Sequence, residues 1–197
     1  MQLQNKIILA SQSNARKEIL SNLGIINPEV LKHGVEESSF NFNFPVSRSV
    51  LKLACLKAES IKKRKQFKKT GSIIISADTV IYRAKKIFSK PKSKEEVRSH
   101  LENLSSRKHM VYGGICVISP NGRIYKKLVK TEVFFNKIAN SELTEEILDD
   151  GIGKAGGYAI QSLGIRFVKK IRGCYTNIVG ISIPELYKIL KSPEFNL

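Results

Sequence analysis

The stretch Ser72–Ile81, which has the sequence SIIISADTVI, decides the fold. Its three consecutive isoleucines, Ile73–Ile75, are β-branched, and such residues favour a buried strand because branching at Cβ restricts χ1. The apolar run then ends at Asp78 and Thr79. A carboxylate at the end of a buried strand is costly without a partner or a metal, and ligands bind at the carboxyl ends of strands in open α/β sheets. Asp78 is therefore the first candidate for chemistry, although an Asp here can also simply cap a turn.

The bulk composition fits one globular domain over residues 1–197, of which 42% are apolar and 26% charged. No apolar run approaches the roughly 20 residues that span a bilayer, and the first residues lack the apolar core of a signal peptide. The three cysteines form no C-x-x-C pair, which argues against a disulfide scaffold or a zinc site. We therefore expect a cytoplasmic protein with free thiols.

The net charge of +17, from 34 basic and 17 acidic residues, would attract polyanions such as nucleotides or nucleic acid. A biased composition explains part of this excess, because many lysines stand among Ile, Asn and Ser. The densest basic run, Lys62–Lys69, is typical of a solvated helix end followed by a loop. It contains one aromatic residue, Phe67, and the chain has no Trp, so a nucleic-acid interface is a minor alternative.

A strand at Lys6–Ala10 is followed by a serine-rich turn, and Ser13 is a good N-cap for the next helix. A strand, a turn and a helix N-terminus together make an anion site, because free N–H groups and the positive end of the helix dipole face the ligand. Arg16 falls in the first helical turn, where a cation is unfavourable without an anion beside it. This pattern favours phosphate binding over an ordinary surface arginine.

A second helix, Val46–Arg64, carries an apolar stripe in which Lys57 lies. An ammonium in such a stripe either extends to solvent or reaches an anionic site. The adjacent carboxylates Glu36 and Glu37 repel each other unless they are solvated or bound to a cation. A solvated turn and a cation site are both open for them.

Turn and capping signals predict the remaining elements. Ile81–Phe88 is expected to be the hairpin partner of the strand that ends at Asp78, and Pro120–Gly122 joins the two strands of another hairpin. Helix starts are predicted at three serines, two of them with a Glu three residues later: Ser93, Ser141 and Ser182. Residues 173–179 are expected to form a turn-rich loop. The glycine-rich segment Gly151–Gly157 matches neither a dinucleotide-binding fingerprint nor a P-loop, and is expected to be flexible.

Together these pieces resemble the Maf family of septum-formation-type nucleotide pyrophosphatases, over nearly the whole chain. The matching fragments, in the family's order, are Leu9–Ser13 with Arg16 and Leu20, Val35–Glu37, Leu53–Ala54 with Lys57–Ala58, Ala77–Val80, Lys90–Pro91, Ser105–His109 with Val111–Tyr112, Lys154–Gln161 and Asn177–Gly180. Each fragment alone is weak, whereas their order is highly specific. The fragments ADTV and KAGGYAIQ are similar to those of the dTTP/UTP-type branch.

The resemblance implies a Maf/ITPase-like α/β fold, with an elongated, bent mixed sheet, flanking helices and a site in a cleft between two lobes. It also implies hydrolysis of nucleoside triphosphates to the monophosphate and pyrophosphate with Mg²⁺ or Mn²⁺, and homodimers are common in the family. Residue by residue, Asp78 is the expected catalytic base, and Glu37 and Asp78 the expected metal ligands. The expected substrate-binding residues are Ser11, Ser13, Arg16, Lys57, Thr79, Lys90 and Gln161, with the Gln161 amide contacting the base edge.

One departure concerns specificity. The dTTP/UTP-type branch has an Arg where this chain has Ala15, so strict preference for dTTP or UTP is in doubt. Ser106 and Gly113 also replace the family's Gly and Thr, outside the expected chemistry. The alternatives to an active enzyme are a catalytically weak, nucleotide-binding regulatory relative and a basic nucleic-acid-binding protein.

Overall fold

The computed structural model describes residues 6–37, 40, 42, 45–64 and 71–195. Within these ranges the chain forms seven strands and six α-helices. The strands are β1 (Ile7–Leu9), β2 (Glu29–Val30), β3 (Ile73–Arg83), β4 (Lys86–Phe88), β5 (Lys108–Ile118), β6 (Ile124–Phe135) and β7 (Val168–Arg172). The helices are α1 (Asn14–Asn22), α2 (Val46–Lys62), α3 (Lys94–Leu104), α4 (Glu145–Gly151), α5 (Tyr175–Val179) and α6 (Ile183–Leu190). The basic run Lys62–Lys69 lies outside the described residues from position 65 onward.

The strands form one mixed sheet in the order β2-β1-β3-β5-β6-β7, with β4 paired to β3. Strand β1 is parallel to both β2 and β3, with Ile8 opposite Glu29 on one side and Ile74 on the other. The β3–β4 and β6–β7 pairs are antiparallel. The predicted α/β class with a mixed sheet is confirmed.

Strand β3 is longer than the sequence suggests. The apolar run predicts an end near Asp78, but the strand continues to Arg83, so Asp78 lies in its interior. The continuation is stabilised by the antiparallel partner, because Ile81 pairs with Phe88 and Arg83 with Lys86. The expected position of Asp78 at a strand end was therefore wrong. A hairpin is present, but its second strand is only Lys86–Phe88, because the first residues of the expected partner Ile81–Phe88 belong to β3.

The chain divides into two compact units. The first comprises Met1–Asp78, Gly113–Val129 and Gly180–Leu197, and the second comprises Thr79–Tyr112 and Lys130–Val179. The boundary falls directly after Asp78.

In the first unit, α2 packs its apolar stripe on the sheet. The cluster is formed by Ile8, Ala10, Ala54, Ala58, Ile61, Ile74, Cys116 and Ile118. Helix and sheet approach closely at Gly114, where a Cβ would lie 2.8 Å from the Val50 carbonyl oxygen and 2.9 Å from the Leu51 Cα. Only glycine fits there without a shift of the helix backbone.

In the second unit, α3 and α4 cover a larger, partly aromatic core. Its buried side chains include Phe88, Val97, Leu101, Val133, Phe135, Leu148, Tyr158 and Phe167. The aromatic rings meet edge to face, with Phe135 4.9 Å from both Tyr158 and His109 between ring centroids. Such contacts stabilise a core beyond the burial of area alone.

Several helix boundaries differ from the sequence patterns. The predicted cap Ser141 lies in a 3₁₀ turn at Asn140–Glu142, and α4 begins later, where the Thr144 hydroxyl accepts from the Ile147 N–H. Residues 173–179, expected to be a loop, contain α5. Ser182 precedes α6, but in the described structure its side chain makes no capping hydrogen bond, and the Glu185 carboxylate pairs with Lys127 and Lys188.

Other local signals agree with the structure. Ser13 and Ser93 are the N-caps of α1 and α3, and their hydroxyls accept from the N–H groups of Arg16 and Glu96. Ser106, which stands where the family has Gly, has φ 57°. That left-handed conformation costs a non-glycine residue roughly 1–2 kcal/mol, so glycine would be favoured at this position. No helix in the described ranges has the length and apolarity that crossing a membrane requires.

We predict that Gly114→Ala lowers the free energy of unfolding by about 1–3 kcal/mol, the range typical of overpacked cores. The added Cβ would meet helix backbone, which cannot move aside as a flexible side chain would. Gly34→Ala is the matched control, since its Cβ would have only the Ser60 Cβ near it, at 4.0 Å. Urea denaturation of both variants measures the difference, and equal midpoints would contradict the close helix–sheet contact.

Candidate functional site

A turn between β1 and α1 places two serines and an arginine together. The Ser13 hydroxyl accepts from the Arg16 N–H at 3.4 Å, and the Ser13 N–H donates to the Ser11 hydroxyl at 3.3 Å. Ser11 is buried at 4% exposure, and it also accepts from the Arg16 Nη1 at 3.0 Å. The predicted strand, turn and helix N-terminus are therefore all present, with a cation in the first turn.

The Arg16 guanidinium is held from a second direction. Its Nε donates to the Gly180 carbonyl oxygen at 3.1 Å. Gly180 has φ 148°, and a Cβ there would lie 3.2 Å from the Arg16 Cγ, so the close approach of the arginine favours glycine. Burial lowers the pKa of Arg16, while the carboxylates of Asp78 and Glu37 raise it. The arginine is thus fixed near two negative charges.

Lys57 lies at the centre of the first unit's charged groups. Its side chain is 2% exposed, and Nζ donates to the Asp78 Oδ1 at 2.6 Å and lies 2.9 Å from the Glu37 Oε1. Helix α2 directs Lys57 inward because the residue shares a face with Leu53, Ala54 and Ile61. The lysine does not extend to solvent. It joins a buried carboxylate on β3 to a more exposed one on the loop before α2.

His33 is a neighbour of this group that the sequence patterns did not reveal. Its Nε2 lies 3.1 Å from the Glu37 Oε1, the same oxygen that contacts Lys57. The only sequence signal is the four-residue spacing between His33 and Glu37, which is too common to be informative alone. Glu36 is exposed.

The first unit therefore brings together six of the expected site residues: Ser11, Ser13, Arg16, Glu37, Lys57 and Asp78. The other three, Thr79, Lys90 and Gln161, belong to the second unit. Thr79 is half-buried in β3, and Lys90 and Gln161 are exposed.

Lys90 is bracketed by backbone hydrogen bonds. The carbonyl oxygens of Ser89 and Pro91 accept from the N–H groups of Gly156 at 3.2 Å and Gly153 at 2.9 Å. The segment Gly151–Gly157 is therefore packed and hydrogen-bonded, in contrast to the flexible segment that its composition suggests. Its glycines permit left-handed conformations and close contacts with neighbouring backbone.

Tyr158, next to this segment, is buried at 5% exposure, and its hydroxyl lies 2.8 Å from the His109 Nε2. Burial, aided by the charge of Arg83, lowers the pKa of His109 to about 3, so the imidazole is neutral at pH 7. Burial also raises the pKa of the Tyr158 hydroxyl. The pair is an uncharged hydrogen bond inside an aromatic core.

The carboxylates of Glu37 and Asp78 are hard oxygen donors of the kind that Mg²⁺ and Mn²⁺ prefer. Both contact the Lys57 ammonium, so a metal ion bound by these carboxylates would share them with that lysine. Among the described residues, no three His, Cys, Asp or Glu side chains cluster so as to hold a metal ion. A metal here would therefore take its other ligands from substrate or water, as Mg²⁺ commonly does at phosphate sites.

The fold and the site define an α/β protein in which a serine-rich turn with Arg16 lies in the same unit as a buried lysine–carboxylate network. The chain belongs to the Maf family, since the model described as Maf-like protein matches residues 6–193.

Two relatives are similar to this chain over almost its full length. The chain is 40% identical over 194 residues to a dTTP/UTP pyrophosphatase of Thermoanaerobacter sp. (strain X514), covering 98% of each chain. It is 37% identical to the dTTP/UTP pyrophosphatase of Chelativorans sp. (strain BNC1), covering 99% of this chain and 94% of the relative.

Solved structures show a weaker likeness. A HAM1 protein from Coxiella burnetii has a TM-score of 0.46 and 18% identity, over 67% of this chain and 73% of the other. A nucleoside-triphosphatase / dITP/XTP pyrophosphatase from Mycobacterium abscessus has a TM-score of 0.40 and 14% identity, over 68% and 75%.

We predict that Lys57→Met destabilises the fold by about 3–5 kcal/mol, because it leaves the buried Asp78 carboxylate without its ammonium partner. Adding Asp78→Asn removes that charge, so the double variant should lose less than the sum of the two single losses, by roughly 0.5–3 kcal/mol. The measurement is urea unfolding of all four proteins of the cycle.

The control for this cycle is Lys94→Met, which breaks solvent-exposed ion pairs with Glu145 and Asp149. Little change is expected there, because water and salt screen such pairs. Additive losses for Lys57→Met and Asp78→Asn would contradict the coupling.

Proposed function

We propose that this protein is a nucleoside triphosphate pyrophosphatase, which converts its substrate to the nucleoside monophosphate and pyrophosphate. One observation carries the proposal: the buried Lys57 ammonium lies between the Asp78 and Glu37 carboxylates, in the same unit as Arg16 and the anion-binding turn. Membership of the Maf family and relatives named dTTP/UTP pyrophosphatase support the same activity.

The phosphate-binding part of the site is the turn before α1. The hydroxyls of Ser11 and Ser13 and the N-terminus of α1 offer donors to phosphate oxygens. The Arg16 guanidinium adds a planar, multidentate cation that is already positioned by Ser11 and Gly180. These groups require no large rearrangement to meet a charged ligand, which favours stabilisation of a developing negative charge.

Asp78 is the proposed catalytic base. It would accept a proton from a water molecule as the water oxygen bonds to the α-phosphorus, and the bond from that phosphorus to the oxygen bridging the α- and β-phosphates would break. Pyrophosphate leaves with the bridging oxygen, and the monophosphate keeps the oxygen from water. The Lys57 ammonium holds the Asp78 carboxylate in place at 2.6 Å and balances its charge.

Glu37 and Asp78 are the proposed ligands of a divalent cation, Mg²⁺ or Mn²⁺. A bound metal ion would supply Lewis-acid stabilisation of phosphate charge. The Lys57 Nζ contacts one oxygen of each carboxylate and so fixes the orientation of both.

The remaining expected residues are proposed substrate contacts on the strength of the family resemblance. Lys90 is the proposed further phosphate contact, Thr79 a polar contact beside Asp78, and Gln161 the contact to the base edge. A pyrimidine triphosphate of the dTTP/UTP type is the proposed substrate class, as the relatives' names suggest. We propose a cytoplasmic location, because free nucleotides are found there. We also propose a homodimer, on the basis of the family resemblance.

Ala15 favours a second candidate, a nucleotide-binding relative with weak catalysis. The dTTP/UTP-type branch carries a cation there, and its loss removes one contact to phosphate or base. The two candidates differ in turnover, which the following experiment measures.

We predict that the wild-type protein releases pyrophosphate from dTTP or UTP with Mg²⁺ or Mn²⁺, and that Asp78→Asn reduces kcat/KM by about 10²–10⁴-fold, the usual contribution of a general base. In water enriched in ¹⁸O, the label should appear in the monophosphate, as attack at the α-phosphorus requires. Release assays and mass spectrometry of both products measure the two effects.

Asp149→Asn is the matched control, because it changes an exposed aspartate paired with Lys94 and should leave turnover unchanged. Circular dichroism of Asp78→Asn distinguishes lost chemistry from lost folding. Nucleotide binding without release above the Asp78→Asn background would establish the weak relative, and label in pyrophosphate would contradict attack at the α-phosphorus.

We also predict that Ala15→Arg raises kcat/KM for UTP relative to CTP by about tenfold, which corresponds to 1.4 kcal/mol for one added contact. Asn14→Arg adds the same charge at an adjacent, exposed position of α1. It should raise both rates equally, through electrostatic attraction alone. An equal UTP/CTP ratio in the wild type and Ala15→Arg would show that position 15 does not select the base.

A further inference from the structure

Asp150 is an acidic residue in an unfavourable place. It lies in the last turn of α4, where the negative end of the helix dipole disfavours carboxylates, and the helix has no basic residue in that turn. Its neighbour Asp149 is exposed and pairs with Lys94. Asp150, in contrast, is half-buried, and its carboxylate contacts residues that follow α4 in the chain. A carboxylate kept in such a position needs specific partners.

Those partners lie at the two ends of one loop. The Asp150 Oδ1 accepts from the Lys154 Nζ at 2.5 Å, and Oδ2 accepts from the Ser162 hydroxyl at 2.6 Å. Burial works to raise the pKa of Asp150, but the hydrogen bonds from Lys154 and Ser162 outweigh it, and the pKa lies below its ordinary value. The carboxylate is thus ionised at pH 7 and closes the loop 154–162.

We call these two hydrogen bonds of Asp150 the Lys154 arm and the Ser162 arm. The Lys154 arm is connected to Lys90. Lys154 lies between Gly153 and Gly156, whose N–H groups donate to the carbonyl oxygens of Pro91 and Ser89 on either side of Lys90. Lys154 also accepts from the Gly157 N–H at 2.9 Å through its carbonyl oxygen. The contact between Asp150 and Lys154 therefore restrains the backbone on either side of Lys90.

The Ser162 arm is connected to Gln161. Ser162 follows Gln161 directly, and its N–H donates to the Ala159 carbonyl oxygen at 3.3 Å, which closes a turn around Gln161. Gly164 packs closely against this turn. A Cβ there would lie 2.7 Å from the Ala159 oxygen and 2.8 Å from the Tyr158 Cβ, so only glycine fits without a shift. The Tyr158 hydroxyl is in turn held by His109.

We propose that Asp150 is a positioning residue that fixes Lys90 through Lys154 and Gln161 through Ser162, and that base discrimination depends on the Ser162 arm. The inference rests on the proposed function, in which Lys90 contacts phosphate and Gln161 the base. The Gln161 amide contacts the intended base edge only if its backbone presents it at a fixed position, so base discrimination depends on the placement of that backbone.

The two arms make different predictions. Ser162→Ala should lower the ratio of kcat/KM for UTP over CTP by between about tenfold and 100-fold, as small misplacements of substrate contacts do. Hydrolysis of ribose 5-triphosphate, which has no base, should be unchanged. Lys154→Met should raise KM for all three substrates together and leave the UTP/CTP ratio intact.

A double-variant test separates positioning from a general structural role. Gln161→Ala alone should lower the UTP/CTP ratio, and adding Ser162→Ala to it should have no further effect, because the side chain being positioned is already gone. Ser162→Thr keeps the hydroxyl and should retain the wild-type ratio. Thermal unfolding of each variant identifies any that fails to fold, in which case Asp150→Asn tests the same carboxylate with an isosteric amide.

The outcomes distinguish failure of the proposed function from failure of the inference about Asp150. A wild type that releases no pyrophosphate overturns the proposed function, and the inference falls with it. A wild type that hydrolyses UTP but does not discriminate, or a Ser162→Ala variant that discriminates as well as the wild type, overturns the inference alone. Further loss on adding Ser162→Ala to Gln161→Ala also overturns it, since the loop would then act other than through Gln161.

Discussion

The buried pair between Lys57 and Asp78 is the interaction on which the first unit depends. Taking an ammonium and a carboxylate out of water costs several kcal/mol per ion, and only close geometry with further partners offsets it. The 2.6 Å contact, with Glu37 at 2.9 Å as a second acceptor, provides that geometry. Replacing such a pair with apolar residues is often neutral or stabilising, so stability alone does not explain a lysine in the apolar stripe of α2.

The pair also constrains the surrounding packing. Lys57 can reach Asp78 only if α2 lies close to the sheet, and that approach depends on Gly114 and on the small residues Ala54 and Ala58. The Ser76 hydroxyl, on the same strand as Asp78, donates to the Ala54 carbonyl oxygen at 2.6 Å and so ties helix to strand one turn from the pair. Arg16 lies at the edge of this arrangement, held by Ser11 and by a glycine that leaves room for it.

Local patterns predicted what local forces determine. The β-branched run predicted β3, Ser13 and Ser93 predicted two caps, and the periodicity of α2 placed Lys57 on a buried face. The failures share a cause. The length of β3 depends on pairing with β4, and the Glu185 carboxylate, expected in a capping box with Ser182, pairs instead with Lys127, far away in sequence. His33 carries no sequence signal of this kind, because its contact with Glu37 forms only in the folded chain.

The two units hold their expected site residues by different physical means. In the first, charges are buried and hold one another, so the residues that matter are themselves the unusual ones, and motif and periodicity expose them. In the second, Lys90 and Gln161 are exposed side chains, and what is unusual is the backbone near them, where several glycines either have left-handed φ values or leave no room for a Cβ. Sequence patterns detect the first arrangement more readily, because rigidity supplied by backbone leaves glycines as its only local trace.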